Sequence, residues 1–172
     1  YVAKGGNFRS HGFVYTGSMM VLDTILQYGY LWAKIRVQGG AYGAFTRFYG
    51  NGDMVFCSYR DPNLESSVRA YDDLADYLEQ FDVTDREMTK YVIGTLSRID
   101  IPLAMNRYFS HMTQALVQQR RDQLLQTTAA DIRALAPLVR AVMNDNCLCV
   151  MGGEGKIKDA AALFDNLISL PD

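Results

Sequence analysis

The sequence predicts an α+β domain: an antiparallel sheet with helices packed on one face. Three observations predict it. Two β-prone runs flank an Asn-Gly turn at Asn51-Gly52, one β-prone run opens the chain, and a short apolar run lies near residue 150. Between residues 64 and 142 the apolar positions recur in steps of three or four. Strands first, helices next, then a strand and a helix is the order of an α+β domain. No long linker and no repeat interrupts it, so residues 1–172 read as a single domain.

Tyr1 to Lys4 reads as a strand ending at Gly5-Gly6-Asn7, and Ser10 to Thr16 as a loop. From Gly17 to Ile35, Met20, Leu22, Ile25, Leu26 and Trp32 fall mostly on one side at helical spacing, with Gly29 interrupting at modest cost. Arg36 to Gly43 carries three glycines in five residues, which predicts a turn. Ala44–Tyr49 and Met54–Tyr59 are the arms of a hairpin around Gly50-Asn51-Gly52-Asp53. Asp61-Pro62-Asn63 closes the second arm and opens a helix.

Leu64, Val68, Tyr71, Ala75, Leu78 and Phe81 predict one continuous helix face. Thr84-Asp85-Arg86-Glu87 is a capping box, followed by the stripe Met88, Val92, Leu96 and Ile99, which Pro102 ends. A long helix is expected from Asn106 to Gln126. Another starts at Thr128-Ala129-Ala130-Asp131 and carries Ile132, Leu135, Val139 and Val142. Cys147–Met151 reads as a strand and Gly152–Gly155 as a loop. Ala161, Phe164, Leu167 and Ile168 mark a last helix.

Half of the 172 residues are apolar and a fifth are charged, enough for a core and against a disordered tail. A net charge of −2, from 17 basic and 19 acidic residues, gives no global field toward nucleic acid or anionic lipid. No apolar run approaches the roughly 20 residues of a membrane helix. The three cysteines form no disulfide framework and point to a reducing compartment. The chain opens Tyr1-Val2-Ala3 rather than with Met, as a processed product or a piece of a longer protein does.

Zinc catalysis needs three converging ligands. His11 and His111 stand about a hundred positions apart, without a His-x-x-Glu-His pattern, and Cys57 is remote in sequence from Cys147 and Cys149. The cysteines are expected to behave as buried or half-buried small hydrophobes. Gly152-Gly153-Glu154-Gly155-Lys156 sits between a strand and a helix, yet Val150 and Ile157 occupy positions where a phosphate loop needs Gly and Ser or Thr. Gly39-Gly40-Ala41-Tyr42-Gly43 fits no dinucleotide pattern either. Ser10-His11 and Ser110-His111 are adjacent pairs, which do not face each other as nucleophile and base. Arg120-Arg121 beside Asp122 reads as a solvated face.

Trp32 to Tyr59 is different. A helix ending in Arg36, a glycine turn and Tyr42 at a strand start suit a pair of donors aimed at one point. Arginine offers a charged fork of N–H groups to carbonyl oxygens, and tyrosine a neutral O–H to a developing oxyanion. A surface Arg and a core Tyr beside a tight turn is the alternative.

The run Ile35-Arg36-Val37-Gln38-Gly39-Gly40-Ala41-Tyr42-Gly43, followed by Ser58-Tyr59-Arg60-Asp61-Pro62-Asn63, resembles the last domain of the presequence peptidase branch of the pitrilysin (insulinase) family. Tyr1-Val2-Ala3-Lys4-Gly5-Gly6 resembles the strand that opens that domain. The resemblance implies a pitrilysin-family fold and a place as the fourth, C-terminal domain of a zinc metallopeptidase. Four related domains there close in two halves over a chamber that takes unstructured peptides. It implies that zinc is bound by another domain through an inverted His-x-x-Glu-His helix, and that this chain holds none and cleaves nothing alone. By motif match, Arg36 would bind a substrate backbone carbonyl. Tyr42 would donate to the oxygen of the tetrahedral intermediate formed when zinc-bound water attacks. Gly39, Gly40 and Gly43 would shape the turn, with Gly39 and Gly40 beside the substrate. The implied partners are peptides and the N-terminal half of the same polypeptide, with neither nucleic acid nor membrane. The expected compartment is the cytoplasm if bacterial, otherwise the mitochondrial matrix or a plastid. A non-catalytic module of the same fold, structural or partner-binding, is the alternative function.

Overall fold

β1 (Val2–Asn7), β2 (Gly43–Phe48), β3 (Asp53–Tyr59) and β4 (Leu148–Val150) form one antiparallel sheet in the order β2-β3-β1-β4. The structure, a computed structural model, describes residues 1–98 and 104–169. Register sets the two faces. Val2 and Ala44 both face Ser58, while Lys4 and Thr46 both face Phe56. Side chains alternate along a strand, so these residues share the buried face with Met54 and Phe48. The opposite face carries Phe45 and Cys149, both exposed, and Cys57, half-buried. Cys147 is exposed too, so two of the three cysteines are not the buried hydrophobes expected of them. The edge position of β4 explains this for Cys149.

Helices cover the buried face. α1 (Ser18–Ile25) continues without a break into wider π-type turns at Leu26–Tyr30 and Trp32–Gln38. α2 (Leu64–Asp72) and α3 (Leu74–Glu79) follow the hairpin. α4 (Asp85–Leu96), α5 (Ala104–Phe109) and α6 (Gln114–Leu125) come next. α7 (Ala129–Arg133), α8 (Ala136–Asn144) and α9 (Glu154–Asp159) complete the helical part. Phe8, Leu22, Ile25, Phe56, Tyr71 and Leu78 are fully buried between the layers. Phe56 stacks on Tyr71 at 5.9 Å and meets Phe48 edge-on at 6.2 Å, so one aromatic column joins β2, β3 and α2. Lys4, pointing into this layer, is held by Asp72 of α2 at 2.5 Å, which ties β1 to that helix.

Five helix assignments differ from expectation; one is the helix expected from Thr128 through Val142, which is broken at Ala134-Leu135 into α7 and α8. The single helix expected over residues 64–81 is broken at Asp73 into α2 and α3. The long helix expected over 106–126 is two helices, because His111 takes a left-handed φ of +51° and turns the chain before Thr113 caps α6. The last helix begins earlier, at Glu154 inside the expected loop. Its expected apolar positions reach no further than a 3₁₀ turn at Ala161–Leu163. Trp32, assigned to the buried side of the first helix, is exposed, while Leu31 and Ile35 are buried. Wider turns cause this: the Leu31 N–H bonds the Leu26 carbonyl five residues back, and an α-helical period no longer applies beyond it. Ile99 and Pro102 lie outside the described residues.

Both capping boxes form. Thr84 pairs reciprocally with Glu87, whose carboxyl is held below its usual range by hydrogen bonds from the Thr84 N–H and hydroxyl. Thr128 pairs likewise with Asp131. Ser10 caps locally by donating to the Asn7 carbonyl, and His11 pairs with Asp145 at 2.8 Å. Arg120 departs from the expected solvated face: it is half-buried, its guanidinium 4.6 Å from the centroid of Tyr15.

Asp23 of α1 accepts from Arg47 of β2 at 3.0 Å, while its second oxygen, Oδ1, has no hydrogen-bond partner among the described residues. Burial outweighs the attraction of Arg47 and Arg98 and pushes this carboxyl up to about 6. An acid whose folded value lies above its unfolded value binds its proton more tightly when native. Its contribution to stability is therefore greatest below the unfolded value near 4 and is lost as pH rises through about 6. Relative to Asp23→Asn, the wild-type chain is expected to lose roughly 2–3 kcal/mol of stability between pH 4 and pH 7. Urea unfolding of both proteins at the two pH values checks this, and a constant difference refutes it.

Candidate functional site

The turn between the first long helix and β2 is built by a widened helix ending. Gly40 N–H bonds the Arg36 carbonyl at 3.0 Å and Ala41 N–H bonds the Ile35 carbonyl at 3.1 Å. Each ring is one residue longer than in the usual glycine-terminated helix, as the π-type winding requires. Gly40 takes the left-handed conformation, φ +75°, that closes such an ending. Gly39 is buried, and a Cβ there would stand 2.5 Å from the Ile35 carbonyl oxygen. At Gly43 a Cβ would meet the Tyr59 ring.

A second segment braces the turn from behind. Asn63 Nδ2 donates to the Gly39 carbonyl at 2.7 Å. Asp61 holds Asn63 in place by accepting from its N–H at 2.9 Å, and it also accepts from the Ser58 and Ser67 hydroxyls at 2.5 and 2.6 Å. Tyr42 N–H bonds the Tyr59 carbonyl at 3.2 Å, extending the β2–β3 ladder by one rung. Ser58-Tyr59-Arg60-Asp61-Pro62-Asn63 is thus the support of the glycine turn, and the two segments meet in space.

Arg36 sits on the last turn of the helix and is exposed, its guanidinium 4.0 Å from the centroid of the Trp32 ring one turn earlier. That cation–π contact limits the side chain's freedom without using its N–H fork. Tyr42 is 59% exposed. Its ring lies edge-on against Tyr59 at 5.3 Å, and Arg60 places its guanidinium 5.5 Å from the Tyr42 ring centroid. Tyr59 in turn stacks on Tyr1 at 6.4 Å. Arg36 and Tyr42 stand on the two arms of one turn, each packed on its own neighbours. No hydrogen bond joins them among the described residues. The alternative of a core Tyr beside a tight turn is not what forms: the phenol is open to solvent.

Sequence reasoning left Trp32, Arg60, Asp61 and Asn63 without roles at this turn. The signal was present in the spacing. Trp32 precedes Arg36 by four, the distance at which helical neighbours stack, and Asp-Pro-Asn is an asparagine-bearing turn able to reach a facing carbonyl.

Zinc does not fit the described residues of this chain. His11 is engaged by Asp145 and lies apart from His111, and no group of three or more His, Cys, Asp or Glu converges among the described residues. No described helix is long and apolar enough to cross a membrane.

A family profile described as the PreP C-terminal domain matches residues 1–152. Protein HypA of Clostridium perfringens is 40% identical over 178 residues, covering 99% of this chain and 18% of that protein. Presequence protease 1, chloroplastic/mitochondrial, of Arabidopsis thaliana is 34% identical over 170 residues, covering 94% of this chain and 16% of its own length. The mitochondrial presequence protease of Aspergillus fumigatus is 31% identical over 143 residues, 78% of this chain and 13% of that protein. The chain therefore spans less than a fifth of the length of these relatives. The profile match runs from β1 to β4 and takes in both the glycine turn and its Asp-Pro-Asn brace, so the chain belongs to the PreP C-terminal domain family.

Proposed function

We propose that this domain supplies Arg36 and Tyr42 to the reaction centre of a zinc metallopeptidase whose metal is held by another domain of the same polypeptide. Its substrates are unstructured peptides enclosed in a chamber between two halves. The observation that carries this reading is the braced turn. It carries an exposed guanidinium fork on one arm and an exposed phenol on the other, on backbone fixed by Asn63 and Asp61.

A zinc ion held by another domain would supply the activated water. This chain's residues bind and orient. Arg36 directs its N–H groups at a backbone carbonyl of the peptide, which sets the peptide's register. Tyr42 donates its O–H to the carbonyl oxygen under attack, where negative charge grows. Both donors are held before substrate arrives, so little reorganisation is needed when charge develops. The compartment follows the organism: bacterial cytoplasm is favoured, with mitochondrial matrix or plastid for eukaryotic counterparts.

The test uses the full-length protein. Peptide hydrolysis is expected to disappear on chelation and return with zinc, and Arg36→Ala is expected to lower kcat/KM about 10²-fold. The purified 172-residue chain is expected to bind no stoichiometric zinc and to cleave nothing. An inverted His-x-x-Glu-His motif is expected in the coding sequence upstream of Tyr1. Its absence, or hydrolysis that survives both chelation and the Arg36 substitution, defeats the reading.

A further inference from the structure

Arg60 adopts a φ of +49°, a conformation uncommon for residues other than Gly, Asn and Asp. Backbone held in so sparsely populated a region is enriched at sites where a side chain is presented to a ligand. Arg60 is exposed and touches Tyr42 through its guanidinium. It also lines an open recess of about 580 Å³ together with Tyr1, Pro62, Met151 and Lys156. Lys156 donates to the Pro62 carbonyl at 3.0 Å, which anchors its ammonium at the rim with N–H groups to spare. Asp61 also reaches the recess; its oxygens accept from the Ser58 and Ser67 hydroxyls and the Asn63 N–H, neutral donors that turn the carboxylate toward the chain and leave its charge in place. Among the described residues neither Arg60 nor Lys156 has a carboxylate partner. The recess therefore offers two cations against one carboxylate, with Tyr1 in its lining and Arg60 linking it to the Tyr42 ring.

We propose that this recess is a subsite for a carboxylate of the bound peptide, either an acidic side chain or the C-terminal carboxylate. The site rests on the peptidase reading for its peptide, and the contact of Arg60 with the Tyr42 ring puts it within reach of a chain bound at Tyr42. Arg60 offers a planar fork for bidentate contact and Lys156 a second point charge. The subsite selects peptides by charge a short distance from the bond that is cut.

Binding of labelled, unstructured peptides to the full-length protein tests this by fluorescence anisotropy in the presence of chelator, with hydrolysis measured separately. The peptides differ in having Glu or its isostere Gln at successive positions, and a free or amidated C-terminus. At one or more positions, or at the free C-terminus, the carboxylate is expected to tighten binding about tenfold. A preference that persists in amidated peptides assigns the side chain, and one abolished by amidation assigns the terminus. The preference is expected to fall to within about twofold in the double variant Arg60→Gln, Lys156→Gln, to survive in Arg60→Lys, and to invert in Lys156→Glu. Equal affinity for charged and neutral peptides, or a preference untouched by the double variant, overturns the subsite. Hydrolysis without charge preference defeats the subsite alone. Charge-selective binding without hydrolysis leaves the subsite standing and defeats the peptidase reading.

Discussion

Replacing Tyr42 by Phe in the full-length protein is expected to lower kcat about 10²- to 10³-fold while changing KM little. The ring is what Tyr42 uses to hold its place. It packs edge-on against Tyr59 and beside Arg60, and its backbone N–H is tied to the Tyr59 carbonyl. Phe keeps all three contacts and removes one O–H. A donor that engages an oxygen only as that oxygen becomes negative contributes to the transition state and not to ground-state binding, so the loss falls on kcat. Arg36 should divide differently, because a contact to an unreacting carbonyl is made before and during the reaction and so weighs on KM as well. Steady-state kinetics on one fluorogenic peptide checks both. An unchanged kcat in Tyr42→Phe removes the oxyanion role, and a raised KM with constant kcat reassigns Tyr42 to binding.

Gly17→Ala is expected to destabilise the chain by about 3 kcal/mol, whereas Gly29→Ala in the same helical rod is expected to stabilise it by about 0.5–1 kcal/mol. The same methyl is added in both. At Gly17 it meets backbone and the root of a side chain: the Leu124 N at 2.7 Å, the Gln123 Cβ at 2.8 Å and the Arg120 carbonyl oxygen nearer still. None of these is a flexible tip that can swing aside, so α6 must move off the start of α1. That also strains the hydrogen bond from the Gly17 N–H to Gln123 Oε1 at 2.8 Å. At Gly29 nothing lies within 4 Å of the added carbon, and the gain is the entropy that glycine costs a helix. Urea unfolding of the three chains checks the pair. Equal effects at the two sites would show that α6 does not dock through Gly17.

The parts of this fold that were legible in the sequence are those governed by local rules. The Asn51-Gly52 hairpin, the Thr84 and Thr128 capping boxes and the period-two strands depend on residues within a few positions of each other, and each forms. The errors lie where a distant contact or a departure from regular winding decides. The apolar stripe from Leu64 to Phe81 is continuous, yet the chain breaks at Asp73, because a stripe records which residues are buried and not whether one axis carries them. His111 in a left-handed conformation has no counterpart in any periodicity rule. At the candidate site, Arg36, Tyr42 and their glycines were found through spacing and resemblance. The brace was not. Asn63 reaches Gly39 across 24 positions, and Asp61 gathers donors from β3, the turn and α2, a convergence that exists only after folding.

The wide turns between Leu26 and Gln38 have a meaning for how this family can vary. Each residue of an α-helix advances about 100° around the axis, so one residue gained or lost inside a helix rotates everything after it by that angle. A π turn absorbs one extra residue locally. The stretch works as an angular setting: the number of residues in it determines the azimuth at which Arg36 leaves the helix, whatever their identities. Substitutions there are judged by packing, but a one-residue gap is judged by direction, because it swings the guanidinium away from the side occupied by Tyr42. An insertion in the surface turn before Thr113 leaves the direction of Arg36 unchanged. One between Leu26 and Arg36 re-aims that side chain.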